Sequence, residues 1–220
     1  MNVTLDLVKQ HAKVQSFIKK SNQHLGNLGF TEHSFRHVTL VSQLAKEIME
    51  QLGYSKEEQE LAAIAGYLHD VGNVVARWNH AQSGALIAFN ILDDLGMPPD
   101  QLATVIAAIG NHDEHEGMPV NPVGAALILA DKSDVHRSRV RNQDFATFDI
   151  HDRVNYAVEQ SSLVVNPEKL TVTMELTIDI GICPVMEYFE IFLTRMVMCR
   201  RAADFLNCKF ALVINGAKLL

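Results

Sequence analysis

The sequence predicts a mainly α-helical protein, with a helical core followed by a small C-terminal appendage of antiparallel strands and one helix. Three observations carry this reading. Through the first 150 residues, apolar side chains recur at helical intervals and the first four runs are closed by Gly, the fourth by Pro as well. From Leu170 to Ile180 the chain instead reads L-T-V-T-M-E-L-T-I-D-I, six apolar residues alternating with five polar ones, which is the pattern of a half-buried strand. A long amphipathic stretch from Pro184 to Asn207 follows it. The expected division is a core over 1–150 and an appendage over 151–220.

The elements follow in order. Apolar groups at helical spacing run from Leu5 to Leu25, where Gly26 and Gly29 stop them. Thr31 is placed to cap a second helix reaching Leu52, with Gly53 just past its end. Ser55 and Glu58 form an S-x-x-E capping box for a third helix through Leu61, Ile64, Ala65 and Leu68, ending near Gly72. A fourth runs from His80 to Leu95, closed by Gly96 and Pro98-Pro99, and a fifth from Asp100 to near Asn111. Pro122 suits the first turn of a sixth. Ser162 to Asn166 reads as the hairpin partner of the alternating strand, and Lys209 to Ile214 as a third strand before an Asn215-Gly216 turn.

Composition narrows the function. A chain of 220 residues with 48% apolar and 20% charged residues is ordinary for a globular protein and excludes a disordered or collagen-like one. Lys and Arg number 19 against 26 Asp and Glu, a net charge of −7. Such a chain is a poor general binder of nucleic acid or acidic membrane, both of which depend on summed positive charge. An anionic ligand must therefore be held locally. The three cysteines, Cys183, Cys199 and Cys208, include no C-x-x-C and fit a reducing compartment. Met1 to Asp6 shows no basic start followed by an apolar run, and no apolar stretch reaches the roughly 18 residues needed to span a bilayer. A cytoplasmic location is expected.

Histidines are the unusual feature. His37, His69, Asp70, His80, His112 and Asp131 all fall at expected helix ends or on helix faces. Imidazole and carboxylate donors without thiolates favour Fe, Mn, Co or Mg over structural zinc. Six ligands exceed the needs of one catalytic metal, so the set suits two divalent ions, with Asp70 the natural bridge and the central catalytic carboxylate. Gly72 lets the helix unwind beside the adjacent His69-Asp70 pair. Gly84-Ala85, on the His80 face of its helix, lets another helix come close. Asp131 emerges from the apolar run Ala125 to Leu129, a costly place for a carboxylate unless it is paired or metal-bound. Lys132, Arg137, Arg139 and Arg141 make a basic cluster, and the planar arginine fork suits phosphate. Arg137 and Lys132 are taken as substrate contacts, and Arg139 and Arg141 as a solvated face. His33, one turn before His37, and His115 are weaker ligand candidates, while Asp134 and His136 are read either as partners that orient ligands or as surface charge.

The ordered set of Ser34-Phe35-Arg36-His37-Val38, His69-Asp70, His80 with Gly84-Ala85, His112, and Ala130-Asp131-Lys132 resembles the HD-domain metal-dependent phosphohydrolase superfamily. The likeness covers roughly residues 30–140. It looks most like the binuclear branch that cleaves diadenosine tetraphosphate symmetrically, a branch with an arginine six residues beyond the last aspartate, here Arg137. The resemblance implies an all-helical core around the metals and hydrolysis of a phosphate ester or anhydride in a small phosphorylated substrate such as a nucleotide. One departure stands out: many members read H-D-x-G-K, with the lysine near the scissile phosphate, where this chain has Asn73.

Two other readings accompany the hydrolase. A related scaffold supports O₂ chemistry on small polyols and phosphonates, so a di-iron oxygenase is the second. Asn73 motivates the third, a catalytically weak nucleotide-sensing module that signals through residues 151–220. The alternating strand also offers an edge for pairing with a second copy as a homodimer.

Overall fold

The computed structural model describes residues 3–115 and 117–219, so Met1 and Asn2 of the N-terminal reading lie outside it. Helices α1 (Leu5–Gln10) and α2 (Ala12–Asn27) occupy the stretch expected to form one helix. At His11 the backbone is extended (φ −70°, ψ 124°), which lets α1 lie on α4 while α2 runs along the turn beyond α4. Helix α3 (Phe35–Gln51) starts later than expected. Ser34, not Thr31, caps it by accepting from the Arg36 amide, and the Thr31 carbonyl is taken by His33 Nδ1 at 2.8 Å. Helix α4 (Lys56–Leu68) carries the expected capping box of Ser55 and Glu58. A short 3₁₀ turn (Val71–Val74) follows, then α5 (His80–Asp94), α6 (Pro99–Gly110) and α7 (Pro122–Ser133). Leu127, Ile128 and Leu129 of α7 are fully buried.

Two glycines set helix spacing where backbones meet. A β-carbon on Gly66 of α4 would sit 2.7 Å from Ser42 Cα, so only glycine lets α3 and α4 approach this closely. A β-carbon on Gly72 would overlap the His80 carbonyl and lie 2.5 Å from Gly84 N. The turn after His69-Asp70 therefore rests directly on the start of α5.

The C-terminal part comprises α8 (Ile150–Ala157), β1 (Val158–Asn166), β2 (Thr171–Ile178), α9 (Val185–Phe205), β3 (Lys209–Ile214) and β4 (Ala217–Lys218). The periodicity of the sequence did not distinguish α8, eight residues opened by the Asp149 side chain accepting from Asp152 N. β2 buries Val172, Met174, Leu176 and Ile178 and turns its Thr and Glu residues outward, as the alternation predicts. The sheet order is β1-β2-β3-β4. The expectation of a purely antiparallel arrangement is corrected at the centre, where β2 and β3 are parallel. Helix α9 is the cause: it returns the chain to the same end of the sheet, as a parallel crossover must. Because β2 is paired on both edges, it has no free edge for a second copy. One continuous apolar core runs from Val3 to Ile214, with α9 packed on α7, so the parts on either side of residue 150 share an interior.

Candidate metal centre

All six predicted ligands stand at or beside helix ends. His69 caps the C-terminus of α4 and Asp70 follows it; His80 opens α5; His112 lies just past α6; Asp131 is in the last turn of α7. His37 is in the first turn of α3. Helix ends free the backbone to aim each side chain inward, and all six groups converge.

The convergence has two lobes. In the first, His37 Nε2 lies 3.2 Å from His69 Nε2, 3.5 Å from Asp70 Oδ2 and 3.4 Å from Asp131 Oδ1. His69 Nε2 is 3.5 Å from those same two carboxylate oxygens. In the second, His80 Nε2 lies 3.2 Å from His112 Nε2 and 3.5 Å from Asp70 Oδ1. Asp70 thus offers one oxygen to each lobe, as expected of a bridge.

The outer ring nitrogens fix what the inner ones present. Nδ1–H donates to the Gly66 carbonyl from His69 (2.8 Å), to the Arg77 carbonyl from His80 (3.1 Å) and to the Ile109 carbonyl from His112 (2.6 Å). His37 Nδ1 donates to Asp134 Oδ2 at 2.7 Å. A carbonyl can only accept, so each ring is held with its Nε2 lone pair facing the centre unless a proton occupies it. Four lone pairs and two carboxylates converging in a buried site demand positive charge. Asp70 Oδ2 is buried with no hydrogen-bond partner, an arrangement a divalent cation would satisfy. The donor set fits a divalent metal, which His37, His69, Asp70, His80, His112 and Asp131 would hold.

Titration follows the same demand. Burial alone would lower His37 and His69, but hydrogen bonds and charge from Asp131 and Asp70, with Asp134 added at His37, raise them to about 9 and about 10. Burial pushes His112 well down, helped by the charges of His69 and His80. Burial would raise Asp70, yet His69 and His33 hold it well below the usual carboxylate range.

A cavity of about 480 Å³ opens onto this centre. The core supplies Phe30, His33, Arg77, Trp78, Glu114 and Lys132, and α8 and α9 supply His151, Asp152, Phe192 and Arg195. His33 faces it with Nε2 4.0 Å from Asp70 Oδ2, and His115 also lines it. Lys132 lines the cavity as expected, but its ammonium is engaged by Asp131 (2.7 Å) and Glu114 (2.5 Å). Arg137 is placed elsewhere: it bonds Glu159 at 3.0 Å, lies over the Tyr156 ring at 5.4 Å and does not line the cavity. The 3₁₀ turn it occupies (Arg137–Arg139) sends it toward β1, which corrects the expected substrate contact. Arg139, expected on a solvated face, is buried, donating to Asp134 O at 2.5 Å and Glu32 O at 2.9 Å. His136 binds the Glu159 carbonyl, and Arg141 bonds Phe30 O near the surface.

Asn73, Arg77 and Arg195 were not singled out as contributors to the site. Asn73 donates to Asp70 Oδ1 at 2.8 Å, so this residue orients the Asp70 carboxylate. Arg77 carried a weak signal, three residues before a ligand. Arg195 carried none, since a basic residue in a long helix looks like its neighbours Arg200 and Arg201.

Residues 34–141 match the family model described as the HD domain, a span that includes all six ligands. An uncharacterized protein of Methanocaldococcus jannaschii is 26% identical over 207 residues, covering 83% of this chain and 79% of its own length. A solved structure described as a predicted HD superfamily hydrolase from an uncultured Thermotogales bacterium is 24% identical, with a TM-score of 0.46, covering 56% of this chain and 67% of its own. Among the described residues, no helix is long and apolar enough to cross a membrane. The two-lobed His/Asp centre lies inside the segment 34–141 that matches the HD-domain model, so this part of the chain is similar to HD domains.

Proposed function

We propose that the protein is a metal-dependent phosphohydrolase that cleaves a phosphate ester or anhydride in a small phosphorylated molecule of the nucleotide class. The single observation that carries this is Asp70, whose two carboxylate oxygens face separate imidazole clusters. Divalent metal held by these residues would supply an activated water and charge to neutralise phosphate oxygens during in-line displacement. Fe, Mn or Co suits the nitrogen and oxygen donors, and Mg is a further choice.

The cavity supports the substrate class. Its volume lies within the roughly 300–1,000 Å³ of small-molecule sites. Phe30, Trp78 and Phe192 give it apolar faces on which a base can stack, and Arg77 gives it a cation with no carboxylate partner among the described residues. The narrower likeness to diadenosine tetraphosphate hydrolases implied Arg137. With that residue turned to Glu159, a dinucleotide is one member of the substrate panel rather than its premise.

Protein loaded with Mn²⁺, Fe²⁺ or Co²⁺ should release phosphate or a nucleotide from a panel of mononucleotides, dinucleotides and phosphate monoesters. Asp70→Ala should abolish turnover and lower the bound metal. Nucleotide binding without turnover by fully loaded protein would favour the sensing module instead, and substrate-dependent oxygen uptake would favour the di-iron oxygenase.

A further inference from the structure

Four lysine and arginine side chains line the cavity: Arg77, Lys132, Arg139 and Arg195. Three are engaged by carboxylates. Lys132 meets Asp131 and Glu114, Arg139 is 3.6 Å from Asp134, and Arg195 is 3.4 Å from Glu114. Arg77 forms no ion pair among the described residues.

Its guanidinium is nevertheless held in place. Asn73 turns its amide nitrogen toward Asp70, which leaves Asn73 Oδ1 to accept from Arg77 Nη1 at 3.4 Å. The same nitrogen lies 3.5 Å from His80 Nε2, and the guanidinium carbon sits 5.6 Å from the centre of the Phe30 ring. The Arg77 carbonyl accepts from His80 Nδ1, so this residue touches a ligand through both main chain and side chain. A held charge with no carboxylate partner among the described residues, beside the cluster of Asp70, His80 and His112, is poised for an incoming anion.

We propose that Arg77 is a catalytic residue whose guanidinium meets the non-bridging oxygens of the group under attack. The proposal rests on the phosphohydrolase reading above. In that reaction the water oxygen joins phosphorus, the bond to the leaving oxygen breaks, and the leaving group departs with a proton from the water. Arg77 donates hydrogen bonds to the oxygens on which negative charge is held and transfers no proton. Donors fixed before the reaction need no reorganisation when charge shifts, which is why they lower barriers.

The test compares wild-type protein, Arg77→Ala and Arg77→Lys, each as the full metal-loaded chain. Metal content should be equal in all three. Binding of inorganic phosphate to Arg77→Ala, measured by calorimetry, should weaken at least about tenfold, as loss of a charge-assisted contact requires. Turnover should fall roughly 100- to 1,000-fold, the usual effect of removing one such donor, with Arg77→Lys intermediate. Guanidinium ion added to Arg77→Ala should restore part of the rate and leave the wild type unchanged. Phosphate affinity and turnover equal to wild type in Arg77→Ala would overturn the proposal, as would loss of metal, which would make the role structural. If the wild type turns over nothing in the panel, the hydrolase reading fails by itself. Arg77-dependent phosphate binding would then still support the anion contact.

Discussion

His37 differs from the other three histidines of the centre in what holds its outer nitrogen: a carboxylate, Asp134, rather than a carbonyl. Asp134 is itself buried and braced by Arg36 at 2.9 Å and by Arg139. A carboxylate behind an imidazole raises its basicity and fixes its tautomer, and losing such a partner commonly costs 10- to 100-fold in metal affinity. Asp134→Asn should therefore weaken binding at the lobe of His37, His69, Asp70 and Asp131 by about that factor, read by competition with a chelator. Protonation gives a second expectation at this scale. Without metal, His37 and His69 keep their protons up to about pH 9 and about 10, because Asp131 and Asp70 outweigh burial. Their folded values are raised, so the stability they lend is complete below about pH 6.5, the unperturbed value. It is lost as pH climbs through the folded range. For Asp70 and Asp131 the values are depressed, so the stability they lend is present above about pH 3.9 and lost below it. A divalent ion must displace the imidazole protons. Apparent Co²⁺ affinity should rise about tenfold per pH unit for each proton released between pH 6 and 9. Calorimetry in buffers of different ionisation heat counts those protons, and no release at pH 7 would contradict this picture.

Helix ends, and the contacts that space them, set the ligand geometry. The turn carrying Asp70 lies on the start of α5 only because Gly72 has no side chain to meet the His80 and Gly84 backbones. Gly72→Ala should push that turn away from α5 and separate Asp70 from His80. The folded protein should lose about 1–3 kcal/mol, typical of overpacking against backbone. Metal stoichiometry should fall toward one, because the lobe of His80 and His112 depends on that contact. Thermal unfolding with metal analysis checks both outcomes. An alanine variant that keeps two metals and full stability would show that the turn has room to adjust.

At the level of the whole molecule, the C-terminal part forms one wall of the cavity as well as a cover for the core. Arg195 and Phe192 of α9 and His151 of α8 line the cavity, and α9 packs on the buried helix α7. Because a single apolar cluster spans Val3 to Ile214, the full chain should unfold in one calorimetric transition. Two resolved transitions would mean that the segments on either side of residue 150 fold independently. A chain ending at residue 150 would expose the α7 face that α9 covers, and it should be insoluble or lack cooperative melting.

The parts of this protein legible in its sequence are those governed by local chemistry. The Ser55–Glu58 capping box, the α5 limits marked by Gly96 and prolines, and the alternation of β2 depend on neighbours a few residues apart. The candidate ligands stand out in the sequence because Asp131 in an apolar helix is costly without a partner and Gly72 lets the adjacent His69-Asp70 pair converge. What required the tertiary structure was the direction taken by side chains whose partners lie far away in sequence. Arg137 and Arg139 are two residues apart, yet one turns to Glu159 and the other to Asp134 and Glu32. Likewise, the parallel β2–β3 pairing depends on where α9 can pack, and the ion pairs of Lys132 and Arg195 on which carboxylates reach the cavity. Local propensity is fixed by the chain within a few bonds; ion pairing and wall formation are decided only when distant segments compete for the same space.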